Sequence, residues 1–230
     1  ASASASASSA LDGLPAVTAI QVMIDDSSGE QLREIPLHED DEVVFALGPW
    51  SDQLRRWFST FPAGAPYKCQ SYRMQPAMPV PAEAVFGYVR DEADELHILE
   101  VYPRPDGEVY ACAGMHQDAQ VPLPDDPAEI AADLDKLAEL QHAVGLLSSR
   151  LRGGHFVAGT SCYLPTSADQ LPIIGRLRAR NAYVCTGHSC WGILQSPASG
   201  LAVAELLLNG KSTTVDLSPF DPERFCSADK

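Results

Sequence analysis

Residues 181–200, NAYVCTGHSCWGILQSPASG, set an apolar β-branched run, a glycine-bounded loop and a helix-forming stretch one after another. A strand that passes through a tight loop into a helix is a connection of α/β architecture, and no other segment restricts the chain as much. The pattern predicts a strand over 182–186 and a helix from about Pro197 to Leu208, stopped by Asn209-Gly210. Between Gly187 and Gly192 the loop holds His188, Ser189 and Cys190. Residues of these types serve as nucleophile, as metal ligands or as the lining of a cofactor site.

A nucleophilic serine on such a turn sits in G-x-S-x-G, with its histidine later in the chain. Here the spacing is G-H-S-C-W-G, one residue too long, and His188 is the last of the histidines. A Cys190–His188 dyad would need two side chains of one tight loop to converge, so that reading fails as well. Cys185, His188 and Cys190 offer three soft metal ligands without a close fourth, and Cys185 reads as a small buried hydrophobe in an apolar strand. Two readings stay open on the loop alone. In one, Gly187 and Gly192 admit a flat or anionic group and the amides of the following helix point at it. In the other, the glycines only satisfy a strand-to-helix turn.

Upstream, AVTAIQVMI (16–24) reads as a strand ending in a turn at Asp25-Asp26-Ser27-Ser28-Gly29, with a second strand near Gln31–Leu37. VVFALG (43–48) reads as a buried strand closing on Gly48-Pro49-Trp50, with Ser51 or Asp52 capping a short helix that contains Leu54, Trp57 and Phe58. Between Tyr67 and Gly114 the runs VFGYV, ELHILEVYPR and EVYACAG predict an antiparallel sheet with one wet face. Pro105-Asp106-Gly107 makes a hairpin turn between the last two. Asp126 as cap, Pro127 at the first helical position and Glu129 open a helix that the apolar period Ile130, Leu134, Leu137, Leu140, Val144, Leu147 and Leu151 carries over 127–152. A further strand is read over 155–163.

A net charge of −15 excludes a nucleic acid or an anionic membrane surface as partner, and no apolar run is long enough to span a bilayer. Six cysteines without CxxC spacing predict reduced thiols in a cytoplasmic compartment. The opening ASASASASSA reads as a flexible low-complexity tail over 1–12.

The stretches SCYLPTSADQLPIIGRL (161–177), NAYVCTGHSCWGILQSPASGLAVAELLLNG (181–210) and DLSPFDPERF (216–225) resemble, in order and spacing, the C-terminal region of FAD-dependent oxidoreductases of the D-amino-acid oxidase and glycine oxidase type. Ser167, Asp169, Pro172, Gly175, Gly187, His188, Gly192, Pro197, Gly200 and Arg224 stand where that family's T-x-D-x-x-P-x-I-G, G-H-x-x-x-G, P-A-[TS]-G and P-x-R-[FY] motifs require. DDEVVFALGPWSDQL is similar to the strand beneath the FAD. VYPRPDGEVYACAG and CYLP resemble a poorly characterised eukaryotic branch of the family.

The resemblance implies an α+β or α/β fold. It joins an incomplete, glutathione-reductase-like FAD-binding domain built from 13–62 and 164–226 to an antiparallel-sheet substrate domain over 63–163. It implies FAD as cofactor and oxidation of a small amine or amino-acid-like substrate by hydride transfer to flavin. Gly48, Gly187, His188, Gly192, Ile193 and Leu194 would line the cofactor, His188 touching the ring or only bonding the loop. Tyr102, Arg104 and Tyr163 stand on the substrate side, with Tyr72, His97, Tyr110, Arg73 and Lys68 as further candidates there. Two departures stand out. No G-x-G-x-x-G unit occurs, which predicts a C-terminal fragment of a longer oxidoreductase, the alternative being a non-catalytic remnant or interaction domain that binds no FAD. Leu164 occupies the place where the glycine-oxidase branch carries a carboxylate-binding arginine.

Overall fold

The computed structural model describes residues 13–26, 29–64, 66–113 and 121–226; the expected tail, the turn tip Ser27-Ser28 and Gly114 lie outside them. In chain order the first strands are β1 (Ala19–Asp26), β2 (Gly29–Pro36), β3 (Val43–Phe45), β4 (Tyr67–Gln75) and β5 (Val85–Arg90). They are followed by β6 (Leu96–Pro103), β7 (Val109–Ala113), helix α1 (Leu134–Leu147), β8 (His155–Leu164), β9 (Ile173–Arg176), β10 (Ala182–Thr186) and helix α2 (Gly192–Asn209). The architecture is α+β. Two compact units divide it: unit 1 is Ala1–Gly64 with Pro165–Lys230, and unit 2 is Ala65–Leu164. No helix among the described residues is long and apolar enough to cross a membrane.

In unit 1, β1 and β2 pair antiparallel from Ala19↔Pro36 to Asp26↔Gly29. β10 is the centre of a three-stranded sheet, parallel to β3 (Ala182↔Val43 to Val184↔Phe45) and antiparallel to β9. A parallel pair cannot be closed by a tight turn, and the whole of unit 2 lies in sequence between β3 and β10. Ala182 and Val184 are fully buried and join Leu54, Phe58, Phe61, Ile173 and Leu177 in the core. The buried Asn181 side chain accepts from the Val17 amide (2.9 Å) and donates to the Val17 and Asp41 carbonyls, holding the chain's early segment to the start of β10.

β3 is shorter than the strand expected over 43–48, because Gly48 turns at φ +56° and Pro49 leads a 3-10 helix over Gly48–Arg56. Neither expected residue caps that helix. Ser51 lies inside it, its hydroxyl 2.7 Å from the Gly48 carbonyl, and Asp52 accepts from the amide of Gly64 (3.2 Å).

Unit 2 is an antiparallel sheet in the order β5-β6-β7-β4-β8. Strand alternation sends Tyr72, Met74, Leu99, Val101, Val109 and Ala111 to one face, where they bury against Leu137, Leu140, Ala143 and Val144 of α1. Each fully buried leucine or valine there contributes about 1.5–3 kcal/mol relative to exposure. The opposite face carries Ser71, Arg73, Glu100, Tyr102, Tyr110 and Cys112, as the ladder pairs Ser71↔Cys112, Arg73↔Tyr110, Glu100↔Cys112 and Tyr102↔Tyr110 show. The β6–β7 hairpin turns at 104–108, with Arg104 and Glu108 bonded through their backbone (2.8 Å) and Gly107 at φ +87°.

The helix expected over 127–152 is shorter. Asp126 caps only a 3-10 turn, Pro127–Glu129, after which Ile130 is extended. Asp133 then starts α1 by accepting from the amides of Asp135 and Lys136, while its own amide donates to Gln70 of β4 (3.1 Å). At the far end Ser148 is extended, and Leu151 reaches the core from a following turn rather than from the helix. The apolar period is real; a second cap and a cross-strand partner break it into two pieces.

Candidate functional site

The carboxyl ends of the parallel strands β3 and β10 are where open α/β sheets place their ligands, because the loops leave the sheet there. A glycine with left-handed backbone follows each strand, Gly48 three residues past β3 at φ +56° and Gly187 directly after β10 at φ +79°. The two ends are tied together. The hydroxyls of Ser51 and Thr186 lie 2.7 Å apart, and both stand within hydrogen-bond distance of the Gly48 carbonyl, at 2.7 and 3.2 Å. Thr186 is buried, so these bonds are shielded from competing water.

After Gly187 the chain runs through His188 into a 3-10 turn, Ser189–Trp191, and directly into α2. Ser189 stands at φ +53°, which costs a residue with a Cβ about 1–2 kcal/mol. The amide of Ser189 donates to the Pro165 carbonyl (2.8 Å), which holds the loop in that shape. The helix therefore begins at Gly192, five residues before the expected start at Pro197. Pro197 is accommodated because Ser196 donates its hydroxyl to the Ile193 carbonyl (3.0 Å), the acceptor that a prolyl nitrogen cannot serve. The helix ends as expected, with Gly210 in the left-handed conformation.

The first turn of α2 has no side-chain cap and no acidic residue, so no side chain of the turn neutralises the positive end of the helix dipole. On the same turn Ile193 is 94% and Leu194 74% exposed. A helix start that presents donors beside uncovered apolar side chains suits a flat group with one polar, electron-rich edge.

His188 is half-buried and its Nε2 lies 2.9 Å from the Ser199 hydroxyl on the second turn of α2. Burial lowers its pKa, which keeps the imidazole neutral near pH 7. The ring also borders a cavity of about 370 Å³ with Leu171, Pro172, Trp191, Ala198 and Phe220. Ser199 was legible only as part of P-A-S-G; nothing local marked it as the partner of His188.

Asp169 and Arg224, both read from the motifs, meet in a two-point ion pair at 2.7 and 3.0 Å. Arg224 also donates to the Phe220, Asp221 and Leu171 carbonyls, and Ser167 lies 2.8 Å from Asp169. The guanidinium holds the Asp169 carboxyl well below the usual carboxylate range. These motif residues form a structural knot that ties the C-terminal segment to the turn before β9.

In unit 2 the substrate-side candidates separate. Tyr102 and Tyr110 stand side by side (ring centroids 6.0 Å), with Arg104 over the Tyr110 ring at 5.3 Å. The Tyr102 hydroxyl donates to Glu100 (2.5 Å), and burial together with that acid pushes the phenol well above its ordinary range. Arg73 is paired with Glu108 at 2.9 Å. Tyr163 sits on the other face: it pairs with Lys68 in the ladder, is 6% exposed, and donates to the Pro122 carbonyl. Tyr72 and His97 are likewise buried, the first stacked on Phe156 and the second 3.1 Å from Asp91. Glu100 went unnoticed in the sequence, although the alternation of β6 puts it on the face of Tyr102.

A family model described as FAD dependent oxidoreductase (DAO) matches residues 13–206. The chain belongs to the DAO family of FAD-dependent oxidoreductases, and the cofactor of that family is FAD. It is similar to TDA3, a candidate oxidoreductase of Saccharomyces cerevisiae, at 30% identity over 203 residues, which is 86% of this chain and 38% of that protein. A candidate oxidoreductase of Schizosaccharomyces pombe is 29% identical over 198 residues, 86% of this chain and 50% of the relative. The crystal structure of glycine oxidase from Geobacillus kaustophilus matches with a TM-score of 0.66 at 25% identity, over 88% of this chain and 50% of that one. The chain thus spans about half, or less, of the length of these relatives, and the family read from the motifs of 161–225 is the one found.

Proposed function

We propose that this chain is the FAD-facing and substrate-facing portion of a longer flavin-dependent oxidoreductase that oxidises a small amine or amino-acid-like molecule. The observation that carries the reading is the start of α2. It is an uncapped helix N-terminus with exposed Ile193 and Leu194, next to two glycine turns at the carboxyl ends of parallel strands.

The residues present fit the cofactor. Gly48 has open space where a Cβ would stand, and a Cβ on Gly192 would meet only that of His188, at an ordinary 3.6 Å. Gly48 is glycine for its left-handed backbone, whereas Gly192 has helical backbone and no internal contact that requires glycine, so the open space at Gly192 is left for an approaching group. In this reading Gly187, His188, Gly192, Ile193 and Leu194 hold the flavin end, and Gly48 lies toward the rest of the dinucleotide. When bound, FAD supplies an acceptor for the hydride of a substrate C–H. The amides at the start of α2 stabilise negative charge at the edge they face, and neutral His188 keeps the loop closed onto Ser199. Tyr102, Arg104 and Tyr163 are the substrate-side candidates, with Tyr163 on the opposite face of the sheet and bonded to the Pro122 carbonyl. We assign 13–62 and 164–226 to the FAD-binding domain and 63–163 to the substrate domain. The cysteine pattern supports a cytoplasmic location.

Incubating the purified 230-residue chain with excess FAD, desalting it and recording its absorbance tests the reading. Retained flavin bands support it. A folded chain that emerges without flavin means that these segments do not hold the cofactor unaided, and any catalytic activity of this chain alone is then refuted.

A further inference from the structure

The face of unit 2 that carries Tyr102 also brings together two cysteines far apart in sequence. Cys69 of β4 and Cys162 of β8 are direct partners in the antiparallel ladder. Directly opposed residues project from one face with their Cα atoms about 4.5–5.5 Å apart. A disulfide bridges Cα atoms about 4.4–6.8 Å apart, so the ladder brings the two backbones within bridging range. Cys162 is exposed at the surface and Cys69 is half-buried beside it.

We propose that Cys69 and Cys162 are a reversible thiol–disulfide pair, a redox modification site that takes a small disulfide of the glutathione type as oxidant. The sulfur of exposed Cys162 attacks the reagent's disulfide, loses its proton to solvent and releases one reagent thiol. The Cys69 sulfur then displaces the second reagent thiol from Cys162, closing the Cys69–Cys162 bond and losing its own proton. Two protein thiols are oxidised, one small disulfide is reduced to two thiols, and an excess of small thiol runs the sequence backward.

The third cysteine of this face does not compete. Cys112 stands opposite Ser71 rather than a cysteine, and its sulfur lies 3.7 Å from the Glu100 carboxylate. Burial and that acid push its thiol up to about 12, so it stays protonated. Partial desolvation of its sulfur by the neighbouring side chains raises the Cys162 thiol as well, which makes the pair a slow couple following the ambient thiol–disulfide ratio rather than a fast peroxide sensor. Closure links residues near the points where the chain enters and leaves unit 2, so β5, β6, β7 and α1 lie inside one covalent loop.

The purified full chain is incubated with oxidised glutathione, its remaining thiols are alkylated, and its peptides are mapped by mass spectrometry without reduction. The expected result is a linked Cys69–Cys162 peptide pair that dithiothreitol abolishes. The Cys112→Ser chain should form the same link, and the Cys69→Ser chain should stop at glutathione on Cys162. The oxidised wild-type chain should also melt at least about 5 °C higher, since a long loop is closed in its unfolded state. A Cys69–Cys112 link overturns the proposal. So does glutathione persisting on Cys162 in the wild-type chain, an unmodified pair while exposed Cys190 is fully modified, or a link without a rise in melting temperature.

Discussion

Gly187 and Gly192 bound the same loop, yet the structure asks different things of them. At Gly187, alanine would have to hold φ +79°, which costs about 1–2 kcal/mol. Its Cβ would stand 3.3 Å from the Ile173 nitrogen and 3.5 Å from the Pro172 Cα, both backbone atoms. Ile173 pairs with Thr186 in the β9–β10 ladder, so relief requires that ladder to give and adds about 1 kcal/mol. Gly187→Ala should therefore destabilise unit 1 by about 2–3 kcal/mol. Gly192 has helical backbone and open space, and Gly192→Ala should leave stability unchanged or raise it by up to about 1 kcal/mol. Urea titration followed by tryptophan fluorescence reads this directly, because Trp50, Trp57 and Trp191 all lie in unit 1. The two variants should then invert in a flavin-binding titration, Gly192→Ala weakening FAD at least about tenfold, equivalent to about 1.4 kcal/mol. A Gly187→Ala chain within about 0.5 kcal/mol of wild type would refute the strain argument. A Gly192→Ala chain with unchanged FAD affinity would remove Gly192 from the cofactor site.

Arg224→Ala removes the two-point partner of Asp169, which keeps Ser167 and the Leu171 amide, and takes a donor from the Phe220 and Asp221 carbonyls; with Asp169 partly solvated, the loss should be about 1–2 kcal/mol by denaturant titration, and Arg224→Lys should recover only part of it. Asp169 has a depressed folded pKa, so its contribution is full above the ordinary carboxylate range and fades as pH falls below it; an Asp169→Asn chain should show a flatter acid limb in pH-dependent melting. Glu205 accepts from the Thr213 and Thr214 amides and from the hydroxyls of Ser212, Thr213 and Thr214, which lowers its pKa from 4.5 to about 2. Its contribution is present above about pH 4.5 and is lost as pH falls through about 2, and Glu205→Gln should abolish that dependence in an acid titration followed by tryptophan fluorescence. Leu140→Ala empties a fully packed position under the sheet of unit 2 and should lower stability by about 2–5 kcal/mol, measured by far-UV circular dichroism in urea.

Short-range signals are legible in the sequence because the groups that set them are neighbours in the chain. Pro105-Asp106-Gly107 specifies its own hairpin because the turn dihedrals and the Asp106 side-chain bond to Glu108 lie within a few residues. Gly210 likewise ends α2 by its own left-handed backbone. The starts of both helices differ from the propensity rule because a side chain serves a backbone group that the rule leaves unpaired, as acceptor in one case and as donor in the other. Gln70, on another strand, receives the Asp133 amide where α1 begins, and the Ser196 hydroxyl lets α2 run through Pro197.

The sequence by itself determined the family, the glycine-bounded loop after β10 and the antiparallel character of 67–113, since each rests on motifs, turn residues or a period of two. Only the tertiary structure decided that β3 and β10 run parallel, that His188 closes onto Ser199, and that Tyr102 and Tyr163 occupy opposite faces. It alone set Cys69 opposite Cys162. Strand register and side-chain partnership across such separations arise from packing many residues at once, and a one-residue slip in register would send every one of these side chains to the other face.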